Sequence, residues 1–319
     1  MQKVVVTGAA GFIGSNLVDD LLRRGLDVLG LDDFSSGHIK FIELAKKHHN
    51  FNIISCDLLD QKAVVEYLDG SDFVFHLAAN ADVRFGTEHP SKDLEQNTIV
   101  TFNILEGMRE NAVQNIVFAS TGAVYGESQI IPTPENAPMP IQTSLYGASK
   151  LACESMIEAY CEGFDFKSWI FRFVSILGQR YTHGHVYDFC KQLKEDPSCL
   201  HVLGNGLQKK SYLHVDDCID AIWVGVTNAN DKVNILNLGA NDYCQVNDSI
   251  QWIIEKLGLS PKVTYGGGER GWVGDNPFIF LETNKIRSFG WKPQHTIREG
   301  VESTVDFLLE NDWVFNFRK

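Results

Sequence analysis

Val4-Val5-Val6-Thr7-Gly8-Ala9-Ala10-Gly11-Phe12-Ile13-Gly14 runs a short apolar strand into three glycines and then into a helical pattern. Each glycine answers a backbone need. Gly8 lets the chain turn sharply off the strand. Gly11 has no Cβ, so a diphosphate can approach the main chain. Gly14 lets the helix pack closely on the sheet. The first N–H groups of that helix, with the positive end of its dipole, then face the diphosphate. A glycine triplet alone is also what an ordinary glycine-rich strand–turn–helix corner looks like. Here a second strand ending in an acid follows, Val28-Leu29-Gly30-Leu31-Asp32, which is the context that a dinucleotide fingerprint requires.

Outward from this corner, the first half of the chain alternates strand and helix. Strand-like runs fall near residues 3–7, 27–31, 52–55, 72–77, 115–120 and 168–172. Helical patterns cover 12–24, 60–68, 94–110 and 145–162. The alternation predicts an α/β fold, a Rossmann-like doubly wound parallel sheet with the ligand at the carboxyl ends of the strands. Beyond residue 173 the pattern becomes irregular. Ser211 to Val215 reads as a strand, Asp216-Asp217 as the cap of an apolar helix from Cys218 to Val226, Val233 to Leu238 as another strand, and 297–310 as a final helix. The expected domains are 1–172 for the dinucleotide, with returns from about 211–240, and a smaller interwoven domain from 173–210 and 241–319.

A carboxylate at Asp32 can accept both hydroxyls of an adenosine ribose and would repel a 2′-phosphate, which favours NAD over NADP. Its other reading is a turn or helix-cap acid. The turn Asp33-Phe34-Ser35-Ser36-Gly37 that follows holds no basic residue, although Lys40 is close. Asp57-Leu58 after the third strand could meet the adenine, or Asp57 could cap the next helix. His76-Leu77-Ala78-Ala79 closes the fourth strand with small residues that leave room for a cofactor or simply pack.

Composition narrows the classes further. The chain of 319 residues carries a formal net charge of -13, which argues against nucleic acid as the main partner. No apolar run approaches the ~20 residues of a membrane span, and the chain enters a strand at once, so no signal peptide is expected. Seven cysteines, an odd count without C-x-x-C, fit reduced thiols in a cytoplasm. His48-His49 and His183-Gly184-His185 lack a companion cysteine or carboxylate cluster and read as solvated or loop histidines, so no metal is expected.

Tyr146-Gly147-Ala148-Ser149-Lys150 sets a tyrosine and a lysine one helical turn apart on one face. An ammonium beside a phenol lowers its pKa from ~10 and makes a general base. Ser120-Thr121, at the end of the fifth strand, brings hydroxyls to the same crevice, and a proline-rich loop from Pro132 to Pro140 leads back to Tyr146. This set reads as hydride transfer to and from an alcohol carbon.

These residues, with Asn97, Arg172-Phe173, Tyr212-Leu213-His214-Val215-Asp216-Asp217 and Arg270-Gly271-Trp272-Val273-Gly274-Asp275, give the chain its resemblance. It resembles an extended short-chain dehydrogenase/reductase of the NAD-dependent sugar epimerase/dehydratase family over nearly its whole length. The resemblance implies Tyr146 as catalytic base and acid, Lys150 on the nicotinamide ribose, and Thr121 on the reacting sugar hydroxyl. It implies an NAD site of Gly8, Gly11, Phe12, Ile13, Asp32, Asp33, Ser35, Ser36, Gly37, Asp57, Leu58, Leu77, Ala78, Ala79, Asn97, Ser120, Tyr146, Lys150 and Phe173. Thr121, Gly122, Ser175, Lys210, Arg270 and Asp275 would meet the substrate, Arg270 as the diphosphate clamp.

Dehydratases of this family carry an acidic pair after the strand-end threonine, and decarboxylating relatives keep a glutamate. This chain has Gly122-Ala123. The implied reaction is therefore epimerisation at C4 of a UDP-hexose, UDP-glucose/UDP-galactose or the N-acetyl forms. A 4-ketoreductase or dehydrogenase using NAD(H) as cosubstrate, an epimerase for another NDP-sugar, and a non-catalytic sensor are the alternatives. Ser175 and Lys210 depart from the family's usual asparagine and arginine. Relatives form homodimers through two helices each, here about 94–110 and 145–162.

Overall fold

The computed structural model describes residues 2–139, 141–271, 275–276 and 278–317. Pro140, Trp272, Val273 and Gly274 of the motifs above lie outside the described residues. The alternation becomes β1 (Lys3–Thr7), α1 (Phe12–Arg23), β2 (Asp27–Asp32), β3 (Phe51–Ser55), α2 (Gln61–Leu68) and β4 (Phe73–His76). Two short helices follow, α3 (Val83–Glu88) and α4 (Pro90–Asp93), then a π-helical turn Leu94–Ile99 that runs into α5 (Val100–Glu110). Next come β5 (Asn115–Thr121), α6 (Leu145–Phe164), β6 (Lys167–Phe173), β7 (Ser175–Leu177), α7 (His185–Glu195), β8 (Cys199–Val202), β9 (Lys209–Lys210) and β10 (Tyr212–His214). The remainder is α8 (Val215–Asn228), β11 (Val233–Leu238), β12 (Cys244–Gln245), α9 (Val246–Leu257), β13 (Lys262–Tyr265), β14 (Phe278–Ile279), α10 (Asn284–Ser288), α11 (Ile297–Glu310) and α12 (Val314–Phe317).

Seven strands form one sheet in the order β11-β6-β5-β4-β1-β2-β3, every pairing parallel. The strand order reverses between β1 and β4, which opens a crevice at the carboxyl ends. Val4, Val5, Val6, Val74 and Phe75 have essentially no exposure, as a sheet covered on both faces requires. A second apolar core gathers Val186, Ile253, Val301 and Val305 from α7, α9 and α11.

The opening corner is built as its glycines dictate. Gly8 has φ +68°, and a Cβ there would stand 2.8 Å from Ala78 N. A Cβ on Gly14 would stand 2.0 Å from Gly8 O, so the third glycine serves contact with the loop's own carbonyl. At α8 the expected cap differs. His214, not the acidic pair, accepts from Asp216 N at the helix start. Asp217 instead accepts from the backbone of Gln294 and His295 and anchors the segment leading into α11.

Candidate active site

A first cavity lies against the corner of β1 and α1. Gly8, Gly11, Phe12, Ile13, Asp32, Asp33, Ser35, Ser36, Leu58, Leu77, Ala78 and Ala79 line it, with Gln96 and Thr182, which the sequence did not single out, and His183, which it read as a solvated or loop histidine. No side chain caps α1, whose N-cap is Gly11, so its first N–H groups are available to an anion. Asp32 accepts from Ala10 N and Phe34 N, each at 2.8 Å, and keeps lone pairs for a ribose. Burial raises its pKa, and these two hydrogen bonds oppose the rise. A glycine cradle, an uncapped helix start and a strand-end carboxylate fit a dinucleotide with an unphosphorylated ribose.

A second cavity of about 710 Å³ opens beside the first, within the range of small-ligand pockets, roughly 300–1,000 Å³. Phe12, Ile13, Ala81 and His183 line both cavities, so the two are contiguous. Thr121, Tyr146, Ser120, Phe173, Ser175, Lys210 and Asp275 line the second, together with Arg84 and Lys191. Thr121 and Tyr146 both line this cavity, and the Thr121 hydroxyl accepts from Ala123 N at 3.1 Å. A threonine and a tyrosine hydroxyl on one cavity wall can hold an alcohol oxygen and move its proton.

Several expected roles are corrected. Lys150 does not lower the pKa of Tyr146 here. Burial pushes the phenol up to about 12, and the nearby Thr121 hydroxyl opposes the rise. Lys150 donates to Ala119 O at 2.9 Å and lies 4.5 Å over the Phe118 ring. Burial lowers its pKa to about 8. Ser120 does not spend its hydroxyl on the crevice but donates it to Glu154. Asn97 is buried and lines neither cavity. Its amide donates to Ser149 Oγ at 2.8 Å, and its Oδ1 accepts from Asn80 N at 2.8 Å, so it ties α6 to the π-turn.

Asp57 accepts from Leu59 N at 2.9 Å, while Asp60 caps α2, which closes the N-cap reading of Asp57. Gly37 lies against Ala10 and Asp32 rather than in the cavity lining. Gly122 is outside the lining as well. Arg270 is held by Glu127 at 2.5 Å and by Asp275 O at 3.3 Å, and Asp275 pairs with Lys210 at 2.7 Å. His185 is not a loop histidine. It opens α7, lines the second cavity and stacks on Tyr212, ring centroids 4.8 Å apart, with Nε2 2.7 Å from Ser249 Oγ.

The sequence reading missed Glu154. It forms a buried pair with Arg172 at 2.6 Å, both side chains 1% exposed. The signal was present: Tyr146, Lys150 and Glu154 fall at i, i+4 and i+8 on one helix face.

The parallel sheet and the glycine cradle at the carboxyl ends of its strands define a dinucleotide-binding α/β fold. Residues 4–239 match the model of the NAD dependent epimerase/dehydratase family, and the chain belongs to that family. It is 30% identical to the UDP-glucose 4-epimerase of Mycolicibacterium smegmatis, over 96% of this chain and 98% of that protein. A crystal structure of a UDP-galactose 4-epimerase superimposes with TM-score 0.87 at 36% identity, over 98% of this chain and all of that one. The UDP-glucuronic acid 4-epimerase of Bacillus cereus, in complex with UDP-glucuronic acid and NAD, gives TM-score 0.89 at 25% identity over 97% and 99%.

Proposed function

We propose that this chain holds NAD in the glycine-lined cavity and epimerises a UDP-hexose at C4 in the adjoining one. The observation that carries the reading is the surroundings of Thr121 and Tyr146. The positions after Thr121 hold no acid to expel water, and a Cβ at Gly122 would stand 2.9 Å from the Ile279 side chain and 3.3 Å from Phe173 O. Oxidation and re-reduction at one carbon remain. NAD, when bound, supplies the hydride acceptor and then the donor. Tyr146 would act as its phenolate, which needs the positive charge that bound NAD brings to the site to draw the phenol down from about 12, and would then accept the C4 hydroxyl proton as the C4–H bond breaks and the 4-keto sugar forms. Thr121 holds the same oxygen. After the sugar turns about its diphosphate, Tyr146 returns the proton while hydride arrives on the opposite face, so cofactor and proton balance in each turnover.

Lys210 and Arg270 supply the cations for the diphosphate in this proposal, Arg270 by exchanging its Glu127 partner. Similarity to 4-epimerases over nearly the whole chain supports the UDP-hexose, as do the cations beside the cavity. We place the enzyme in the cytoplasm as a homodimer through α5, α6 and the π-turn, where Leu94, Ile99 and Phe102 expose apolar surface. Sedimentation at micromolar concentration checks this, and a monomer would refute it.

The deciding experiment uses one purified sample: NAD released on denaturation, then UDP-galactose supplied without external cofactor. Held NAD with UDP-glucose formation supports the proposal. Held NAD without conversion moves the substrate and points to Ser175 and Lys210. Turnover only with added NAD(H) favours a 4-ketoreductase or dehydrogenase. A Tyr146→Phe variant at wild-type rate would overturn the scheme.

A further inference from the structure

His214, Asp216 and His295 meet away from both cavities, whose linings include none of them. One ligand atom from each lies within 4.8 Å of the others. His214 and Asp216 stand at the start of α8, and His295 stands in the segment before α11. The two imidazoles stack with centroids 4.1 Å apart and planes 24° apart. The Asp216 carboxylate lies 3.6 Å from His214 Nδ1.

We propose that this cluster binds one transition-metal ion of the Zn²⁺ type, joining the start of α8 to the segment before α11. The donor set is two imidazole nitrogens and one carboxylate oxygen. That suits Zn²⁺ and its neighbours, while Mg²⁺ and Ca²⁺ prefer all-oxygen shells. Donors around tetrahedral zinc, at 2.0–2.2 Å from the ion, stand roughly 3.3 Å apart. The cluster must therefore contract by about 1.5 Å at most. Asp216 is 56% exposed, so its side chain has room to move.

The outer shell is already in place. His214 Nε2 lies 3.1 Å from Ser303 Oγ. That bond fixes the ring and leaves Nδ1 on the Asp216 side, where it now accepts from Asp216 N at 3.2 Å, a bond the ion would replace. Among the described residues His295 Nδ1 is a buried nitrogen with no hydrogen-bond partner, yet it lies 3.2 Å from Asp217 Oδ2. Closing that contact into a bond would leave Nε2 as the ligand nitrogen of His295, and binding would require the two stacked rings to turn so that their in-plane lone pairs converge on the ion. A carboxylate or hydroxyl behind each histidine is the usual support of a ligating imidazole. Asp217 also fixes the His295 main chain, accepting its N–H at 3.0 Å, so ring and backbone are placed by one side chain.

The test is titration of chelator-stripped full-length protein with Zn²⁺ alone, followed by calorimetry and thermal melting. One ion per chain and a chelator-reversible rise in Tm are expected. His295→Gln and Asp216→Asn, both at positions with solvent access, should each weaken binding by at least ~10-fold and shrink the rise in Tm. Wild type without stoichiometric binding overturns the proposal. So does binding that both variants leave unchanged, since the exposed His48-His49 pair or Cys199 would then hold the ion.

Discussion

Lys150 shows how far one side chain can be held from its ordinary chemistry. Its ammonium is 2% exposed, and burial brings its pKa to about 8 from 10.5. Asp93, Glu154 and Cys153 oppose that shift from the π-turn side and from α6 itself. A lysine whose folded-state pKa lies below its unfolded value costs stability wherever the folded protein must carry the charge. The cost is full below pH 8 and is relieved as pH rises from 8 toward 10.5. Lys150→Met should therefore stabilise the protein at pH 7 by up to about 3 kcal/mol, with a smaller gain at pH 9.5. The same change should abolish turnover if Lys150 holds the nicotinamide ribose. Urea titrations at the two pH values check the first part. A loss of stability at pH 7 would show that the bond to Ala119 O and the packing on Phe118 outweigh desolvation.

At the scale of elements, α6 is fixed by charge as much as by apolar packing. The Glu154 carboxylate receives Ser120 Oγ from β5 and the Arg172 guanidinium from β6. Arg172 also donates to Tyr125 Oη at 2.7 Å and Glu135 O at 3.0 Å. The register of Tyr146 against Thr121 hangs on this network. Glu154→Leu leaves a buried guanidinium unpaired and should cost about 3–5 kcal/mol, whereas Glu154→Leu with Arg172→Met should recover much of it. Equilibrium denaturation of the single and double variants measures the difference, and equal losses in both would sink the account.

What the sequence made legible follows the same division. The glycines of the first corner and the strand-end Asp32 act through the backbone, so spacing alone revealed them. Asn97 and Ser120 sat in motifs, but their side chains turn to Ser149 and Glu154 through contacts between distant segments, which no local pattern encodes. The run 94–110 read as one α-helix, yet residues 94–99 are π-helical. An inserted residue of this kind is invisible to a 3.6-residue period.

Across the whole molecule, His76 and His185, the two histidines whose pKa is lowered furthest, lead the response to acid, with His38 and His214 shifted in the same direction. His76 lies between Thr7 Oγ1 and Thr101 Oγ1 at 2.7 and 3.0 Å, and His185 lies between Tyr212 and Ser249. Burial first, and then Lys150 for His76 or Lys210 for His185, lowers each pKa to about 3. Below pH 6.5 the unfolded chain takes up protons that the folded chain refuses, so stability falls as pH drops from 6.5 toward 3. At pH 5.5 each histidine should cost about 1.4 kcal/mol relative to neutral pH, or roughly 3 kcal/mol for the pair. Burial raises the pKa of Asp32 and Asp93. These carboxyls act in the opposite sense, because a raised folded-state pKa gains stability as pH falls through it. Their gain sets in above their unfolded range near 4 and offsets part of the histidine loss. The prediction is a drop of up to this size between pH 7.5 and pH 5.5 in denaturant titrations, with the histidine share read from a variant lacking both rings. A His76→Gln/His185→Gln double variant should show a much flatter dependence whatever its stability at pH 7.5. A wild-type curve that is flat over this interval would mean that water or a relaxed fold reaches both rings.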